Sequence, residues 1–550
     1  MMSRYLLVFA LFFTPLLAKP LSPLEVNTLY HSLRPDSISE QLAFYSLYPS
    51  SAAGRQALDQ AWHLLRKHRP DDATSAPPLH LPTIDHSALI SLVHPPLAPA
   101  APSLLTPDQL QLIDSLANHL SNRHLKGFLA QKKEDLFSLP PAQIDLARAL
   151  LLYAFEGDEK KWEKLRSYEA HLDLMALQIL AYLPVDATGK AKIAAINRLI
   201  FYDQKFRFPP HSTSISDVDL YTFLPAVLDQ RKGVCLGVSV LYLALAQRID
   251  LPLEIITPPG HIYLRYRQGE TLINIETTAR GISLPCASYL SLNTTALQKR
   301  TIKEVIGLTF INQASSAWQR KDYRATLSLY EQALRFLPQD APLHFFLGYQ
   351  HLLNRDLKQG LAALKTALGL PEKETIYRST LPEDFLTGKV DLEGIEAVFS
   401  HVDETRASIV AKQCRLKHVV RRHPKFREGL FHLAITHLQL SEHHQALTCL
   451  RRYQALDPYH PIVAYYLAIL SIHFFDYANA WHYLHTAETL TKKHHHYPKA
   501  LRELRHHLRM LEPDPQTLPT DKQSSYLTDR SSSKHSQHRA FFKKMSGCSA

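Results

Sequence analysis

Three pairs of residues in the second half of the chain repeat at one interval: Ala333 and Ala367, Ala446 and Ala480, and Pro424 and Pro458 each stand 34 residues apart. A fixed period constrains a fold more than composition does, because each unit must bury its apolar face against a copy of itself. The segments "DYRATLSLYEQALRFLP" and "DYANAWHYLHTAETL" show what is repeated. Both open on Asp-Tyr, and both then carry alanines where two helices can cross closely. The chain of 550 residues has 17 glycines against 35 prolines, which suits helices punctuated by proline and not a glycine-turned β protein.

A 34-residue helix–turn–helix period is the tetratricopeptide repeat (TPR) signature. It predicts two units in 307–374, a degenerate one near 393–426 and two more in 427–494. The region 303–495 is then an α-solenoid of antiparallel helix pairs without a sheet, broken by an insertion at 375–391. A terminal helix is expected at 496–512. The remainder, 513–550, is rich in Ser, Lys, His and Gln and reads as a disordered tail. Such an array offers a groove to a protein or peptide, which is the expected partner.

The N-terminus, "MMSRYLLVFALFFTPLLAKP", has one basic residue, Arg4, before an apolar run from Tyr5 to Ala18. The run is too short to span a bilayer, and Ala18 suits a cleavage site. Residues 1–18 therefore read as a signal peptide and the protein as exported, to a periplasm or beyond; an N-terminal membrane anchor is the alternative. Residues 19–69 form a short helical region of two amphipathic helices, and 70–107 a Pro-rich linker. A domain with a helical N-terminal half follows at 108–302. The net charge of +11 is scattered, with no basic stripe, so no nucleic acid is expected as partner. The five cysteines, Cys235, Cys286, Cys414, Cys449 and Cys548, are odd in number and irregular in spacing, which is no disulfide framework. His482 and His485 stand at helical spacing but lack the acidic companion of a zinc-protease helix. No metal and no cofactor is expected.

Chemistry concentrates in two adjacent stretches. "KGVCLGVSVLYLALAQRIDLP" places Cys235 in the first turn of an almost wholly apolar helix, where unpaired N–H groups and the helix dipole favour a thiolate and could hold an oxyanion. "PPGHIYLRYRQGETLINIETTARG" reads as a hairpin, 261–267 with 270–276, around a Gln268-Gly269 turn. That register sets His261 opposite Glu276, Tyr263 opposite Asn274 and Arg265 opposite Leu272. One face holds His261, Tyr263, Arg265, Asn274 and Glu276; the other holds Ile262, Leu264, Tyr266, Ile273 and Ile275. A thiol, an imidazole and an orienting carboxylate follow the logic of nucleophile and base. A buried cysteine that only packs accounts for the same residues.

"INRLIFYDQKFRF", "TFLPAVLDQRKG", "LYLALAQRIDLPLE" and "PPGHIYLRY" resemble, in order and spacing, the transglutaminase-like superfamily and more closely the bacterial SirB family, in which such a domain precedes TPR units. The resemblance covers about 194–281 and implies a mainly α chain: an N-terminal helical region, an α+β transglutaminase-like domain of papain-like fold, and a C-terminal TPR α-solenoid. It implies Cys235 as nucleophile, His261 as base and Glu276 in the place of the usual aspartate. Many SirB-type relatives carry proline where this chain has Cys235. The function implied is chiefly a protein-interaction module with a candidate thiol site; the alternative is an active thiol acyl-transfer enzyme, protease-like or transglutaminase-like.

Overall fold

The computed structural model describes residues 21–69, 104–209 and 219–517, save 373 and 404. The expected signal segment, most of the linker and most of the tail lie outside these residues. The chain forms two compact units, each drawn from separate stretches of sequence.

The first unit comprises residues up to 123 together with 157–205 and 247–251. Its N-terminal part holds three helices, Pro23–His31, Ile38–Leu47 and Ala52–Arg66, where the sequence pattern predicts two. The reason is local. Ser22, Ser37 and Ser51 each cap a helix, their hydroxyls accepting from the N–H of Glu25, Glu40 and Gly54, and each cap starts a new helix. Beside them runs the long helix Lys161–Ala181, buried over most of its length. Its Asp173, 1% exposed, accepts from Arg248 Nε at 2.8 Å and from the Arg123 guanidinium. Charges so deep need such pairing, because an isolated one would lose its hydration without return.

The second unit contains 124–156, 206–246 and everything from 252 onward. A four-stranded antiparallel sheet is made of β1 (Glu254–Thr257), β2 (Tyr263–Gln268), β3 (Thr271–Ile275) and β4 (Gln298–Arg300), in the order β3-β2-β1-β4. The hairpin register differs from the predicted one. Arg265 faces Asn274, and Gln268 faces Thr271, so the turn is Gly269-Glu270. Gly269 takes φ +54, the first central position of a II′ turn, which glycine occupies freely. The slip is two residues, and side chains alternate with period two, so the two faces keep their expected membership.

The helical array follows in pairs: Ile302–Gln319 with Tyr323–Leu334, Ala341–Leu353 with Leu357–Gly369, Leu392–Phe399 with Arg406–Arg422, Arg427–Gln439 with His443–Leu456, and Pro461–His473 with Tyr477–Lys492. The helix Lys499–Leu511 closes it, its Leu501, Leu504 and Leu508 buried. Within the pairs, small residues recur twelve apart, one on each helix: Ala314 and Thr326, Gly348 and Gly360, Ala434 and Ala446, Ala468 and Ala480, all buried. At the tightest crossing, a Cβ on Gly360 would sit 3.0 Å from the Gly348 carbonyl oxygen, and one on Gly348 3.1 Å from that of Gly360. Turns repeat as strictly. Lys321, Arg355, Ser441 and Phe475 all take left-handed φ at the end of the first helix of a pair.

The insertion does not hang free. Thr375 forms a single bridge to Thr294, and Tyr377 exchanges two 2.8 Å bonds with the Asn293 side chain. The Tyr377 hydroxyl reaches Tyr453 and Asp457, and its ring lies 3.8 Å from that of His460. A short helix, Leu381–Leu386, carries Asp384, fully buried and bonded to Arg427 Nη2 at 2.6 Å. At the far end, Asp514 is buried and accepts from Arg505 Nη1 at 2.7 Å, so ordered chain continues past the predicted start of the tail at Pro513.

Candidate thiol site

Cys235 is the first residue of the helix Cys235–Arg248 and is half-buried. The chain enters that helix along a fixed path. Gly233 N–H donates to the Arg207 carbonyl, and Val234 N–H to that of Tyr221. Gly237, one turn in, lies so close to the Tyr221 carbonyl oxygen that a Cβ there would stand 2.1 Å from it. The Tyr221 backbone thus packs against the helix start, and Thr222, fully buried, accepts from Asn312 Nδ2 at 3.3 Å. The first N–H groups of a helix have no partner within it, and Cys235 stands at that end.

His261 is delivered by a turn of its own. In Pro258-Pro259-Gly260-His261 the His261 N–H donates to the Pro258 carbonyl at 3.1 Å, and Gly260 takes φ +68. That is a type II turn, with proline and then glycine at its centre. Glu276, just past β3, caps the short turn Thr277–Ala279, so its carboxylate folds back over the sheet.

These three residues come together. His261 Nε2–H donates to Glu276 Oε2 at 2.7 Å, with the imidazole 27% exposed and the carboxylate 5%. Cys235 is a neighbour of the same ring and acts on it in the same sense as Glu276, favouring the imidazolium. Burial pulls the imidazolium down, but Cys235 and Glu276 outweigh it, and His261 is pushed up to about 10. Burial likewise raises the Glu276 carboxyl, and donation from His261 and Thr278 more than reverses this, holding it below the usual range. Glu276 is therefore an ionised acceptor beside a protonated ring.

In the corrected register Glu276 is reached diagonally from His261. The predicted polar face is also covered, not open. Asn274 holds the segment 283–289 down, its N–H donating to Ser283 Oγ at 3.2 Å and its amide to the Leu284 carbonyl at 2.6 Å. Arg265, 9% exposed, donates to Asn274, to the Tyr263 hydroxyl and to Cys286 Sγ at 3.2 Å. Tyr289 stacks on Tyr263 with ring centroids 4.1 Å apart and donates to Glu276 Oε2 at 2.9 Å. Sequence reasoning missed Tyr289 and Thr278. A signal existed for Thr278, two residues after a turn-capping carboxylate; none marks a tyrosine thirteen residues downstream.

Residues 166–303 match the family model described as Transglutaminase-like superfamily. That is a quarter of the chain, and it contains all three site residues. A search of curated proteins found no match. Among solved structures the chain is similar to YrrB, a TPR protein with an unusual peptide-binding site, at 14% identity over 36% of this chain and 92% of that one, with a TM-score of 0.20. It is similar to a thermophilic TPR protein of Thermus thermophilus at 19% identity over 37% and 97%, with a TM-score of 0.19. It is similar also to PilW, a type IV pilus biogenesis factor, at 13% over 40% and 99%, with a TM-score of 0.19.

Proposed function

We propose that the chain is an exported, SirB-like protein whose TPR-type array binds a protein or peptide and whose Cys235–His261–Glu276 cluster performs thiol chemistry on an amide. The observation that carries the reading is the 2.7 Å bond from His261 to Glu276, on a ring whose charged form Cys235 also favours. In the reaction the Cys235 sulfur attacks the amide carbon. The imidazolium gives its proton to the departing amine as the C–N bond breaks, leaving a thioester. Neutral His261 then takes a proton from water or a second amine, which attacks the thioester, and the sulfur leaves as thiolate. Glu276 stays ionised throughout and holds the ring. Helix-start N–H groups face the developing oxyanion.

Alkylation of the full chain with iodoacetamide at pH 6, mapped by mass spectrometry, tests this. Cys235 should react about tenfold faster than exposed Cys414, because a thiol paired with an imidazolium reacts where an ordinary one is largely silent. His261→Ala should remove the excess, and Glu276→Gln should reduce it. Equal rates in wild type and His261→Ala would leave Cys235 a packing residue and the array as the whole function.

A further inference from the structure

Glu276 has one more methylene than the aspartate expected in its place, and a longer arm needs more anchors to hold an imidazole in one position. The structure supplies them. Oε1 accepts from Thr278 N–H at 3.2 Å and from Thr278 Oγ1 at 2.6 Å. Oε2 accepts from His261 and, at 2.9 Å, from the Tyr289 hydroxyl. The Thr278 bonds are local, two residues along the chain. Tyr289 is different, because it arrives from the segment that closes over the polar face of the hairpin. Its ring is nearly parallel to both Tyr263 and His261, at 15° and 14°, with centroids 4.1 and 6.1 Å away. Stacking sets the height of the hydroxyl, and the hydroxyl sets the carboxylate oxygen that takes the imidazole N–H.

We infer that Tyr289 is a positioning residue of the thiol site, fixing through its hydroxyl the Glu276 oxygen that orients His261. The inference rests on the thiol-site reading and adds a member to it. Tyr289 acts through its hydroxyl on Glu276, with its ring stacked beside that of His261. Two effects of its hydroxyl oppose each other. It competes with His261 for Oε2, which weakens the imidazole bond, and it immobilises Oε2, which strengthens it. The stack on Tyr263 holds the hydroxyl in one place at Oε2, so the geometry favours the immobilising effect.

Tyr289→Phe keeps the ring and its stack and removes only the hydroxyl. Alkylation of Cys235 by iodoacetamide is followed from pH 6 to 9.5 in wild type, Tyr289→Phe and, as control, Tyr263→Phe, whose hydroxyl bonds Arg265 and not Glu276. The expected result for Tyr289→Phe is a rate about three- to tenfold lower at pH 6 and unchanged at pH 9.5, a loss in keeping with one hydrogen bond to a charged group. Tyr263→Phe should follow the wild-type profile. A Tyr289→Phe profile equal to wild type, or lowered equally at both ends, makes the residue merely structural. A rate that rises at pH 6 shows competition to be dominant. Either result overturns the inference while leaving the thiol site intact. A wild-type Cys235 no faster than Cys414 at pH 6 is a different failure, that of the thiol-site reading, and takes the inference with it.

Discussion

His460 shows how a single side chain can make an array sensitive to acid. Its ring is 8% exposed, stacked near Tyr377 and Phe431, and its Nδ1 is buried without a hydrogen-bond partner. Burial pushes it down to about 4, with Asp457 opposing only in part. The unfolded chain binds this proton near 6.5, the folded chain only near 4, so protons favour unfolding between those values. Its contribution is full above about pH 6.5 and is lost as pH falls toward 4, on the order of 2 kcal/mol. Denaturant unfolding at pH 7 and pH 4.5 should show a larger acid loss in wild type than in His460→Phe, which keeps the stack. Equal losses would mean that the ring is already charged, or solvated, in the folded chain.

At the scale of elements, the sequence revealed periods more readily than close approaches. The 34-residue repeat, the five helix pairs and the terminal helix were legible because apolar and small residues recur at fixed steps. The hairpin was legible in its faces but not its register: Gly269 fits either central position of a two-residue loop, and only the ladder with β1 and β3 selects one. Close approach is similarly hard to read: a Cβ on Gly233, just before the cysteine helix, would stand 2.7 Å from the Val238 side chain, yet the closer approach is Gly237 against the Tyr221 backbone, which no local pattern announces. Gly237→Ala forces a methyl to within 2.1 Å of a carbonyl oxygen. It should destabilise by about 2 kcal/mol or more, although alanine is the better helix former. A melting temperature equal to wild type would show that the entry segment yields. The cover over the site, 283–289, has no periodicity at all, and its tyrosine could be placed only once the chain was folded.

For the whole molecule, the insertion is the feature whose consequence reaches furthest. By sequence it is a seventeen-residue interruption carrying two tryptic sites, Arg378 and Lys389, and a loop of that kind is where a protease ordinarily enters. Here the Arg378 guanidinium is held by the carbonyls of Leu368 and Leu370 at 3.1 and 2.8 Å, and Lys389 lies 3.3 Å from buried Asp384. Cleavage needs several residues peeled away from the surface, and peeling this strap breaks those bonds together with the Tyr377 and Arg427 contacts. Brief trypsin treatment of the native chain should therefore spare 375–391 and give a fragment that runs through it, whereas early cuts at Arg378 or Lys389 would reveal frequent local opening. A peptide bond in the middle of an apparent loop then becomes as durable as one inside a helix, and the array survives digestion as one piece.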